Sequence, residues 1–170
     1  MKSLFLFSFI ALWSLTSLGQ TVIDVSNTQK STINKIELTT YQGKPFSGII
    51  TENYVNGKPK TWKTIKEGIT SGLWQEWYEN GQLKFNAYWL DGKGHGLWEY
   101  YHENGILRQE EYYNLDIPIG VFRDYYNNGL IKTKSMWLNG KKHGVWTYYS
   151  ENGIITKTEF YDNNVLVPTK

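Results

Sequence analysis

The chain has 170 residues, no cysteine and a formal net charge of +2. No positive excess exists to neutralise a run of phosphates, which sets nucleic acid aside as a partner, and without cysteine neither a disulfide framework nor a thiolate metal site can form. At 40% hydrophobic and 16% aromatic residues the composition is that of a folded chain, and 8 Trp and 13 Tyr beside 16 Gly suit short strands joined by tight turns.

Residues 1–19 read as a signal peptide. Lys2 supplies a positive start, Leu4 to Leu15 an apolar run, and Ser17-Leu18-Gly19 the small residues at the two positions a signal peptidase reads. The run from Leu4 to Leu18 contains Ser8, Ser14, Thr16 and Ser17 and falls short of the about 20 apolar residues of a membrane span. Cleavage after Gly19 is expected, leaving no transmembrane anchor and an exported protein, periplasmic or extracellular. Residues 20–47 read as an N-terminal capping segment with a strand near Lys35–Tyr41.

Residues 48–167 repeat with a period of 24. Gly48, Gly72, Gly96, Gly120 and Gly144 form one series. Gly57, Gly81, Gly105, Gly129 and Gly153 form a second, each preceded by Asn. Two residues after the first glycine stand Ile50, Trp74, Trp98, Phe122 and Trp146. Seventeen after it stand Ile65, Trp89, Tyr113, Trp137 and Tyr161, and Tyr41 falls where a preceding partial copy would place the same residue. Asn-Gly between two β-rich segments signals a type I′ hairpin turn, which needs positive φ. A second turn, as in Asp91-Gly92-Lys93, closes each unit. Each copy is therefore one β-hairpin, and the whole an all-β, elongated, single-layer antiparallel meander of roughly ten to twelve strands. Leu83, Phe85, Ala87 and Trp89 face one way, and Lys84, Asn86, Tyr88 and Leu90 the other. Trp74 and Trp77 stand three apart, so either a bulge or burial on both faces is required. Residues 168–170 form a short tail.

Three segments carry a resemblance: Gly72-Leu73-Trp74-Gln75-Glu76-Trp77-Tyr78-Glu79-Asn80-Gly81, Gly96 to Gly105 (GLWEYYHENG) and Gly144 to Gly153 (GVWTYYSENG). They resemble the MORN repeat family, in the bacterial variant form found in YwqK-type antitoxin-like proteins. The resemblance implies an elongated antiparallel sheet, a scaffolding or binding role, and no catalytic centre or cofactor within the repeats.

His95 and His143 share a column two copies apart, about 19 Å at the strand spacing of a sheet, which is too far for one metal ion. Glu79, Glu103 and Glu151 recur at turns as solvated residues, and Gly92 to Gly96 reads as a turn and not a phosphate loop. The bases around Lys141-Lys142-His143 are too sparse for a lipid surface. The aromatic columns and both glycine series are structural. Tyr78, Tyr88, Tyr100, Tyr112, Tyr126 and Tyr148 are the candidate contact residues, since exposed Tyr marks interfaces. The expected function is a non-enzymatic scaffold that binds another protein through an aromatic sheet face. The alternatives are a carbohydrate or cell-wall glycan binder, and an antitoxin or immunity-like inhibitor of a secreted effector.

Overall fold

The computed structural model describes residues 20–33 and 36–168; the signal-peptide reading of residues 1–19, the start of the expected strand at Lys35 and the end of the tail lie outside them. The chain forms strands β1 (Val22–Asp24), β2 (Gln29–Ile33), β3 (Ile36–Tyr41), β4 (Lys44–Pro45), β5 (Gly48–Asn53) and β6 (Pro59–Lys66). There follow β7 (Ile69–Trp77), β8 (Leu83–Leu90), β9 (Lys93–Tyr101), β10 (Leu107–Asn114), β11 (Ile117–Pro118) and β12 (Gly120–Tyr125). The last are β13 (Ile131–Leu138), β14 (Lys141–Lys142), β15 (Gly144–Tyr149), β16 (Ile155–Asp162) and β17 (Val165–Val167). One 3-10 turn, Val25–Asn27, interrupts an otherwise all-β fold.

From β5 to β17 each strand pairs with its neighbours in sequence, antiparallel throughout, in a sheet of 14 strands that does not close into a barrel. The short strands β11 and β14 are the leading ends of β12 and β15. The turn expected over Gly92 to Gly96 ends at Gly92, because Asp91 and Gly92 alone reverse the chain and Lys93–Tyr101 is already strand. One edge departs from the antiparallel pattern: β1 lies parallel to β5, pairing Val22–Asp24 with Ile49–Thr51. The strands β2, β3 and β4 form a separate small sheet. It joins the first copy through Thr39 and Phe46, whose backbones bond the Glu67–Gly68 turn and each other. Phe46, Ile50 and Ile65 make the buried core here, with Ile23 and Tyr41 packed against it. This is why the first copy carries isoleucines where later copies carry aromatic rings: its side chains are covered by the N-terminal segment.

The two turns of each copy differ from the sequence expectation in a specific way. The Asn-Gly turn is not type I′. Gly81 N–H donates to the Tyr78 carbonyl at 2.9 Å and Tyr78 N–H to the Gln82 carbonyl at 2.8 Å, a three-residue loop. Only Gly81 has positive φ, while Asn80 does not. The two-residue type I′ turn sits instead at the other end of the hairpin. Asp91 and Gly92 have φ of 48° and 80°, and the pattern recurs at Asn139 and Gly140 with 50° and 81°. The third copy makes the same turn from Leu115 and Asp116, at 51° and 70°, without any glycine.

A bulge falls at the same place in every copy. The register shifts between Glu76 and Trp77 opposite Phe85 and Leu83, leaving Lys84 as the extra residue. Arg108 and Lys132 are the extra residues of the next two copies. The bulge lies in β8 and not β7, so Trp74 and Trp77 take opposite faces by plain alternation; what the bulge moves is Leu83, which pairs with Trp77 on the face opposite Phe85. Trp74 packs on Phe85 and Trp89, while Trp77 lies on the opposite face against Trp62, 5.4 Å between ring centroids.

Candidate interaction surfaces

Alternation places the second and seventeenth columns on one face. There they interleave into a continuous ladder: Trp74, Trp89, Trp98, Tyr113, Phe122, Trp137, Trp146 and Tyr161, with successive ring centroids 4.8–5.7 Å apart. Each ring pair contributes about 0.5–1.5 kcal/mol beyond its burial. The ladder begins where the N-terminal sheet ends. Lys63, whose ammonium lies 3.9 Å from the Trp74 ring centroid, marks that boundary, and burial pulls its pKa down. The fifteenth column runs beside the ladder and alternates with it. Ala87 and Ser135, both buried, stand two residues before the tryptophans Trp89 and Trp137. Glu111 and Glu159 stand two residues before tyrosines, and accept from Tyr113 Oη at 2.9 Å and Tyr161 Oη at 3.2 Å.

Burial raises the pKa of the Glu111 carboxyl, with the Tyr113 hydroxyl acting against it and the charge of Asp124 adding to it. Burial likewise raises Asp124, opposed by Lys132 and Arg108. Burial and then the Glu111 charge push the Tyr100 phenol up to about 12. This face therefore carries phenols that stay protonated and two carboxyls, Glu111 and Asp124, whose charged forms burial disfavours. That is an arrangement suited to contact with another molecule. Among the described residues no group of three His, Asp or Glu could hold a metal ion.

The opposite face carries a feature that the sequence reading missed. Cross-strand pairs Leu73–Tyr88, Leu97–Tyr112, Val121–Met136 and Val145–Phe160 align across eight strands as one apolar stripe. Tyr88, Tyr112, Met136, Val145 and Phe160 are 40–52% exposed. The signal was present in the sequence: the residue after the first glycine is Ile49, Leu73, Leu97, Val121 or Val145 in every copy. Two residues along each strand lies a polar row. Gln75 donates to Asn86, Asn86 to Glu99, and Arg123 to Glu110.

The six candidate tyrosines fall in three places and form no single surface. Tyr100 and Tyr148 lie on the ladder face; Tyr100 is 4.9 Å from Phe85, and Tyr148 Oη donates to Glu159 at 2.8 Å. Tyr88 and Tyr112 stand on the exposed stripe. Tyr78 and Tyr126 sit at the edge formed by the Asn-Gly turns. Their hydroxyls donate to the backbone carbonyls of Tyr101 and Tyr149 in the next copy, at 2.8 and 2.7 Å.

Three segments match the MORN repeat variant. They are residues 71–92, 94–115 and 142–163. Each spans one hairpin up to its type I′ turn, and the unmatched hairpin between the second and third keeps the same register, turn and ladder positions. MORN repeats are protein-binding modules and generally not enzymes. No curated protein matches the chain. Among the described residues no helix is long and apolar enough to cross a membrane.

Proposed function

We propose that the protein is an exported, non-enzymatic scaffold that binds another protein through the ladder face. The observation that carries this reading is the row of aromatic rings from Trp74 to Tyr161, which among the described residues no second layer covers beyond the N-terminal copy. Tyr100 and Tyr148 flank it and are the contact residues of choice. The export reading rests on residues 1–19. Mass spectrometry of protein recovered from an export-competent host is expected to show Gln20 as the first residue; an intact Met1 would contradict it.

The binding reading is tested by capture from envelope and secreted fractions of the source cells. One dominant protein is expected on the parent, and its loss on a Tyr100→Ala/Tyr148→Ala double variant. Equal capture by parent and variant would sink the assignment of the face. Retention only on insoluble cell-wall material would replace it with the glycan reading. A single tightly held, neighbouring-gene effector would turn the scaffold into the antitoxin-like inhibitor.

A further inference from the structure

The stripe face is self-complementary. Along its polar row, strands β9 and β10 pair Glu99 with Glu110, and strands β12 and β13 pair Arg123 with Lys134. Two acids thus stand beside two bases, with the midpoint between β10 and β12. Like charges directly opposite each other weaken a sheet; within this one Asn86 donates to Glu99 and Tyr125 Oη to Glu110. Glu110 does find Arg123 across the midpoint at 3.3 Å, and both keep part of their surface in solvent.

We propose that this face docks a second copy of the chain, face to face, about a two-fold axis parallel to the strands and passing between β10 and β12. Such an axis reverses the order of strands and keeps each row opposite itself. Glu99 and Glu110 of one copy then face Lys134 and Arg123 of the other. Along the stripe, Tyr112 meets the second copy's Val121, and Leu97 its Met136. Farther out, Tyr88 meets Val145, and Leu73 meets Phe160. In the Tyr–Val and Leu–Phe pairs a large residue meets a smaller one, the condition for interdigitation about 10 Å apart. Isologous contact of one patch with itself closes as a dimer. Eight strands at the sheet spacing and three rows of side chains, namely the stripe, the polar row and the row holding the exposed Leu90 and Leu138 two residues beyond Tyr88 and Met136, cover on the order of 700 Å², close to the about 800 Å² per partner of a stable interface. The ladder faces then point outward on both sides of the dimer, so this inference leaves them free and does not depend on what they bind.

Sedimentation velocity on the protein at micromolar concentration tests it. The parent is expected as a dimer. Arg123→Glu/Lys134→Glu, and separately Glu99→Lys/Glu110→Lys, place four like charges on each side of the interface and are expected to weaken association by about a hundredfold or more. An equimolar mixture of the two is expected to dimerise again. Met136→Asp, an exposed change on the stripe, gives a second route to monomer should the charge variants fold poorly. A monomeric parent would overturn the proposal. So would dimers that survive charge reversal and Met136→Asp, which would point to pairing through a sheet edge, or folded charge variants that stay monomeric when mixed.

Discussion

Asn80 serves both its own turn and the copy that follows. Its Oδ1 accepts from Gln82 N–H at 2.8 Å, and its Nδ2 donates to the Glu103 carbonyl at 2.8 Å, one copy on. Asn104 and Asn128 repeat both bonds. Asp116 meets a related need at the opposite edge. It stands where the first, second and fourth copies have Gly68, Gly92 and Gly140, and its Oδ1 accepts from Gly94 N–H at 2.7 Å while its own N–H donates to the Gly94 carbonyl at 2.8 Å. Leu115 beside it has no such compensation for its φ of 51° and is 41% exposed. Left-handed backbone costs an ordinary residue roughly 1–2 kcal/mol and Asn much less. Leu115→Asn is therefore expected to raise the melting temperature by a few degrees; an unchanged or lower value would contradict the turn. Glu111 sets a pH dependence. Its folded-state pKa is raised by burial, so the fold binds its proton more tightly than the unfolded chain. Its contribution is greatest below the unfolded value and declines as pH rises through the folded one. Glu111→Gln is expected to flatten that decline in melts between mildly acidic and neutral pH while keeping the melting temperature at neutral pH. A variant with the parent's slope would contradict it.

At the scale of the hairpin, the period and the pairing of strands were legible because glycine and aromatic columns recur in register. The identity of the turns was not. Asn-Gly serves a type I′ turn and equally a three-residue loop closed by a left-handed glycine, and the dipeptide alone does not say which. The hydrogen bonds of Tyr78 decide it. The glycine requirement is common to both. Gly129 has φ of 83°, and Gly129→Val forces a β-branched residue into that region. The expected result is a lower melting temperature, by several degrees; a melt matching the parent would contradict the loop. The bulge was legible only as a conflict, Trp74 and Trp77 three apart. It turns Leu83 to the face opposite Phe85, whereas Tyr100 and Tyr148 follow Trp98 and Trp146 onto the ladder face by plain alternation.

For the whole molecule, stability comes from rows that cross copies: the ladder, the Tyr78 and Tyr126 hydroxyls, and the Asn bonds, each linking a hairpin to the next. A lone hairpin is marginal in water, and a stack becomes stable by sharing these rows. The contact surfaces were half legible. The aromatic columns declared the ladder, whereas the stripe is built of ordinary Leu, Val and Met that attract no notice until register aligns them. The account rests on copies being interchangeable units of 24 residues. Deleting Gly96–Ile119 removes one whole unit and brings Trp89 beside Phe122 in the ladder. Deleting Gly96–Pro118 removes one residue fewer and turns every later side chain to the other face. Thermal melts followed by near-ultraviolet circular dichroism compare the two. The first variant is expected to keep a cooperative transition and its ordered aromatic signal, at a somewhat lower temperature, and the second to lose both. Similar behaviour of the two deletions, folded or unfolded, would contradict the repeat architecture.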